Sequence, residues 1–391
     1  MTSRRWMRAG SWLILAVIVT ACLYVAGCKG NNASGIEGLE PLDVEWKTSV
    51  GTLGGIISTE EFIIARIPVP SDVTDVTQDV KRTLNCVDST DGNIIWAFAG
   101  VSNNCDDIQI HGDEVIVVDE DNRITFLDLP SGRVIRQLDI FKGKKASVPM
   151  VTDTGVDYSI NVTGFAISDS ILVVAIEDGG VSAFDKASGK QVWSVELPFG
   201  NLGFTPSPLI KDGLVIQRGH NLYAYNLEDG EPVWSNDVIS PRGGVFFEDS
   251  VIVWQRNGLV QGIDLNSGET IWSRELRSTL EDIFTVSGDK FYVFSTVDRK
   301  KDVLVYQLRV DNGEVVWQKN VDERFVSGAV THNEALYFIA NSGNVYAISC
   351  LDGKELRGFE VGNITFAAGI TQSAGKICTG GNPFLFAFKA I

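Results

Sequence analysis

The side chains that could do chemistry are few for a chain of 391 residues. Three histidines, His111, His220 and His332, are the groups whose ordinary pKa lies near neutrality, and none stands in a metal-ligand or nucleophile–base spacing with another. Six cysteines occur, and no two are adjacent. The acidic run Asp119, Glu120, Asp121, Asn122 lacks the central glycine of a calcium loop and reads as a solvated hairpin turn. A Gly-x-Ser-x-Gly nucleophile elbow is absent. These residues nominate neither a catalytic site nor a metal or cofactor site.

Composition narrows the partners. The chain carries 33 basic and 50 acidic residues, is 44% hydrophobic and has a formal charge of −17. It can bury a large core, and it lacks the basic face that binding to nucleic acid or to acidic lipid would require. Residues 1–27 hold Arg4, Arg5 and Arg8, no acid, and then an apolar run through Leu23, the pattern of an export signal. It ends in Val25-Ala26-Gly27-Cys28, which resembles the lipobox of bacterial lipoproteins and implies lipidation at Cys28. Loss of the signal removes three arginines and takes the formal charge to −20. Residues 28–43, rich in Gly, Asn and Ser, read as a flexible tether to the membrane.

From residue 44 onward one unit repeats: an apolar alternation, usually Asp or Asn, three turn residues, Gly, and Trp four residues after that Gly. The unit occurs as CVDSTDGNIIW, AFDKASGKQVW, AYNLEDGEPVW, GIDLNSGETIW and YQLRVDNGEVVW, ending at Trp96, Trp193, Trp234, Trp272 and Trp317. Two copies place Arg136 and Arg357 at the Trp position, and Trp46 supplies an eighth position with no strand before it. The period of about 44 residues is that of a four-stranded propeller blade. Alternating stretches such as Leu222-Tyr223-Ala224-Tyr225 are strands, and the Asp-x-x-x-Gly segment is hairpin turn chemistry. Six Trp residues in one register are expected to pack blade against blade. The last apolar stretch, near 383–389, has no Trp strand after it, so residues 44–47 are expected to complete its blade. The expectation is an all-β, eight-bladed propeller over 44–391, closed by pairing of its N- and C-terminal strands.

The repeat resembles the pyrroloquinoline-quinone-type propeller repeat of quinoprotein dehydrogenases and of the BamB family of outer-membrane barrel-assembly lipoproteins. The first resemblance implies a quinone- or small-ligand-binding propeller, but the adjacent cysteines expected over a quinone are missing. The second implies a non-enzymatic scaffold in the periplasm, lipid-anchored at the outer membrane, that holds an envelope protein partner such as a barrel-assembly protein. In that family two leucines and an arginine after the fourth Trp position contact the partner. Leu202 and Phe204 fall at the leucines here, and Thr205 replaces the arginine. The family's paired aspartates have no counterpart after Trp234. Long insertions at 68–82, 141–158 and 297–302 should share one face of the ring, and Phe141 and Lys142 in the basic cluster there are further candidates for partner contact. Cys86, Cys105, Cys350 and Cys378 would allow bridges such as Cys86–Cys105 and Cys350–Cys378, with four buried free thiols as the alternative.

Overall fold

The computed structural model describes residues 40–391 except 42, 51–54, 68–81, 103–104, 106, 142–149, 153–154, 158–160, 178–179, 198–205, 277–278, 297–301, 362–364 and 383. Among the described residues every regular element is a strand. They build eight antiparallel blades: blade 1 (56–101), blade 2 (108–138), blade 3 (162–196), blade 4 (209–236), blade 5 (243–275), blade 6 (279–321), blade 7 (326–360) and blade 8 (365–389 with 44–48). The first strands of blades 6, 7, 8 and 1 touch in turn, as do those of blades 3, 4 and 5, which places them innermost. The Trp-bearing strands lie at the rim, where their burial alternates with exposure. A further pair, Met150–Thr152 with Gly155–Asp157, lies in the connection between blades 2 and 3.

Seven of the blade boundaries show their own apolar cluster among the described residues, because the middle strands are apolar on both faces. Ile64, Cys86, Val115 and Leu127 fill the boundary of blades 1 and 2. Phe126, Val162, Phe165 and Phe184 fill the next. Continuous burial on both faces follows from each blade being covered by a neighbour on either side.

The outer hairpins share one irregularity. In every blade the pairing shifts by one residue just before the Trp or Arg position, between Ile94 and Trp96 or Val134 and Arg136, for example. The skipped residue is a β-bulge. It leaves Ile95, Ile135, Val192, Val233, Ile271, Val316 and Leu356 exposed at 41–53%. The bulge turns the next residue toward the neighbouring blade. There Trp96 lies against Gly132, and its indole N–H donates to the Leu129 carbonyl at 2.7 Å. The same latch joins Trp46 to Ser89, Trp193 to Leu227, Trp234 to Leu265, Trp272 to Val310 and Trp317 to Cys350, at 2.8–3.5 Å. Each turn glycine has a positive φ and no Cβ, and a Cβ on Gly132 would meet the Trp96 ring at 2.4 Å. Asp-x-x-x-Gly and Trp are thus the two halves of one contact between consecutive blades.

Two boundaries lack an indole. Between blades 2 and 3, Arg136 lies over the Phe126 ring at 3.9 Å and pairs with Glu114 at 3.2 Å; Lys186, in the turn of blade 3, reaches the same carboxylate at 3.3 Å. Between blades 7 and 8, Arg357 is near Phe359, and Phe359 packs on Phe388 at 5.5 Å.

The ring closes as the sequence implies. Val44–Thr48 pairs antiparallel with Phe384–Lys389 and becomes the outer strand of blade 8. Lys376 seals the seam to blade 1, pairing with Glu45 at 3.1 Å and donating to the Thr90 carbonyl at 2.7 Å. One expectation needs amending: Glu40–Pro41, within the expected tether, pairs in parallel with Phe359 and Glu360 at the outer edge of blade 7. The bridges Cys86–Cys105 and Cys350–Cys378 are also not formed. All four cysteines are buried free thiols. Cys86, Cys105 and Cys378 each belong to the apolar cluster of a different blade boundary, so their side chains point into separate cores.

Candidate functional site

Antiparallel order within a blade puts the Asp-x-x-x-Gly turns on one face of the ring. The middle hairpins and the blade-to-blade connections emerge on the other, the connection face. On that face a cleft of about 630 Å³ opens between blades 4 and 5. Ser235, Asn236, Asp237, Val238 and Ile239 come from the end of the blade 4 outer strand and the connection that follows. Gln255, Asn257, Leu259 and Gln261 come from the middle hairpin of blade 5.

Hydrogen bonds fix both walls. Asn236 accepts from the Val238 N–H at 3.0 Å and donates to the Gly268 carbonyl at 2.8 Å, tying the connection to the next blade. The Ser240 N–H donates to the His220 carbonyl at 2.8 Å. Opposite, Gln255 is buried and its N–H donates to the Leu259 carbonyl at 2.8 Å, closing the hairpin. Ile239, 58% exposed, stands at the rim of the cleft. Asp237 is the one ionisable side chain in the lining; together with burial, which acts first, it raises the Tyr223 pKa. Amides, hydroxyls and one exposed aliphatic group can bind a polypeptide surface.

Chemically reactive groups elsewhere are accounted for by structure. Asp119 is buried rather than solvated, a departure from the expected turn. Its carboxylate accepts from the Asp121 and Arg123 N–H groups, Arg123 Nε, Thr125 Oγ1 and Gln137 Nε2, all within 3.1 Å. Five donors leave it little lone-pair capacity for a cation. His111 pairs with Asp169 at 3.2 Å, and His332 lines a smaller cavity between blades 6 and 7 with Tyr292 and Cys350. Burial pushes the Cys350 thiol up, which holds it protonated and unreactive. Among the described residues no three His, Cys, Asp or Glu side chains converge on a point where a metal could sit.

Of the residues singled out from sequence, Cys28, Lys142, Leu202, Phe204 and Thr205 lie outside the described residues. Phe141 is half-buried, packed edge-on against Phe184 with 5.8 Å between ring centroids. It caps the core of blades 2 and 3 and is no free contact residue. The cleft residues were not anticipated. Their signal is Gln255, directly after the apolar run Val251–Trp254, and Gln261 within the strand Leu259–Asp264.

The family profile described as "Outer membrane protein assembly factor BamB" matches residues 43–139, 161–253 and 218–362. The chain belongs to the BamB family. The BamB of Yersinia pestis is 21% identical over 369 residues, covering 78% of this chain and 88% of that one. The crystal structure of BamB from Moraxella catarrhalis superposes with a TM-score of 0.63 at 16% identity, over 90% of this chain and 98% of that chain. A quinohemoprotein alcohol dehydrogenase from Comamonas testosteroni gives 0.65 at 11% identity, over 90% of this chain and 77% of its own. At such identities a structural likeness carries the fold alone. BamB membership rests on the repeat that the profile reads across most of the ring.

Proposed function

We propose that this chain is a non-enzymatic scaffold of the bacterial envelope. Residues 1–27 direct export, Cys28 carries the lipid, and the propeller over 44–391 faces the periplasm at the outer membrane. Its connection face holds an envelope protein, of which a barrel-assembly protein is the specific form. The observation that carries the reading is the cleft between blades 4 and 5 with Ile239 at its lip. The cleft is bounded by the connection after Trp234, one repeat along the chain from the stretch after Trp193 in which the resemblance to BamB implies partner contact. Its lining of amides, hydroxyls and a single carboxylate, Asp237, suits a docking surface for a folded partner.

The residues present do not fit a quinone with its calcium. No cysteines are adjacent, and no acidic cluster stands ready for a metal among the described residues. The test of the scaffold reading is affinity purification of the lipidated chain from detergent-solubilised envelopes. The reading expects a barrel-assembly protein to be recovered, and Ile239→Asp to reduce that recovery at least fivefold. Recovery of the lipoprotein without any barrel-assembly component would refute the specific form. Loss of lipid labelling in Cys28→Ser, with release of the chain from the membrane, is the expected result for the anchor.

A further inference from the structure

The outer strands of propeller blades are open sheet edges, and proteins guard such edges with charges, prolines and bulges. All eight blades here carry the bulge, and seven add a charge or a proline. Their outer strands carry Arg136, Glu196, Pro232, Arg274, Lys319, Arg357 and Lys47. The outer strand of blade 1, Ile94–Val101, reads IIWAFAGV and has neither charge nor proline. Ile94 is 49% exposed and Ile95 41%; Ala97 and Ala99 are exposed as well, and Phe98 is half-buried. Among the described residues the main chain of this edge is engaged at its far end, where Val101 bridges to Asp119 and the Gly100 carbonyl accepts the Glu120 N–H at 2.7 Å.

Acidic residues bracket this uncharged edge. Asp88 and Asp91 stand in the turn that leads into it, and Glu120 sits over Gly100 at its exit. The chain shows by its own example that an outer strand accepts another, since Glu40–Pro41 adds in parallel to the edge of blade 7.

We propose that the outer edge of blade 1 docks an extended segment of a partner chain by strand addition. The segment is uncharged over the residues facing 94–99 and basic at both ends. Main-chain hydrogen bonds supply the affinity, and the acidic brackets select the flanks. A second copy of this chain is a poor occupant. Antiparallel pairing of the strand with itself would set Asp91 of one copy against Glu120 of the other, between two bodies that each carry a formal charge of −20 once the signal is removed. This edge is separate from the cleft of blades 4 and 5 and does not depend on the function proposed for that cleft.

The probe is a fluorescein-labelled peptide with a threonine–valine alternation at its centre and two lysines at each end, titrated by anisotropy against the full chain. It should bind, and the same peptide with glutamate in place of lysine should bind at least tenfold more weakly. Ala97→Lys should lower the affinity for the lysine-ended peptide at least tenfold with an unchanged melting temperature. Asp91→Asn, which keeps the turn acceptor, should lower it about threefold. Equal binding of the two peptides, or equal binding to wild type and Ala97→Lys, would overturn the proposal. So would dimerisation of the chain that Ala97→Lys abolishes, because the edge would then belong to a second copy.

Discussion

At the scale of single residues, the turn glycines carry the most specific demands. Gly132 has φ +66 and no room for a Cβ, whereas Gly213 has φ +77 with nothing within 4 Å of one. Gly213→Ala should therefore cost about 1 kcal/mol, the backbone term alone. Gly132→Ala adds a clash with the Trp96 ring and should cost about 3 kcal/mol, read from urea unfolding. Cysteine titration supplies a second prediction. Burial first, then the Asp88 charge, pushes the Cys86 thiol up to about 12, and burial raises Cys378 likewise to about 12. Both protonated thiols favour the folded state fully below their ordinary value of 9.0, and that contribution is lost as pH rises from 9.0 toward about 12. The urea midpoint should fall across that window, and Cys378→Ala should flatten the fall. An identical slope in the variant would show that the thiol does not titrate as described.

At the scale of elements, the blade boundaries differ in kind. A Trp latch is an apolar contact with one buried hydrogen bond, so Trp193→Phe should cost about 1–2 kcal/mol, with little dependence on salt. The boundary of blades 2 and 3 relies instead on Glu114 between Arg136 and Lys186, each partly exposed. Glu114→Gln should cost at most about 1 kcal/mol, and the difference from wild type should shrink at high salt. Urea unfolding of both variants at two salt concentrations checks the contrast. The blades were legible in sequence because Gly and Trp sit at fixed spacing and serve one contact, so each records the other. Even the Arg136 and Arg357 copies keep the register. The bulge before each Trp was not legible, since an extra apolar residue on an exposed edge leaves no compositional mark. Pairing of Glu40–Pro41 was hidden in the same way, because two residues in a Gly-rich stretch show no periodicity. The cysteine bridges failed for a different reason. Spacing along the chain says nothing about which blade boundary a side chain enters, and three of the four thiols enter separate ones.

At the scale of the whole molecule, closure by Val44–Thr48 joins the first residues of the propeller to the last. Trp46 and Lys376 both fasten this strand to blade 1, so a chain beginning after residue 48 should leave the edge of Phe384–Lys389 open. Such a truncation should lose cooperative unfolding and aggregate on heating, as followed by light scattering. The closed ring leaves a rim guarded by charge or proline on seven of its eight blades, a turn face, and a connection face that carries the cleft. The central claim is that a partner of the barrel-assembly type sits at that cleft. Its most direct test is a photo-crosslinking amino acid placed at residue 239 in the lipidated chain within living cells, with residue 271 on the rim as the control. The account predicts an adduct with a barrel-assembly protein from position 239 and none from 271. Absence of that adduct at 239, or equal adducts at both positions, would contradict it.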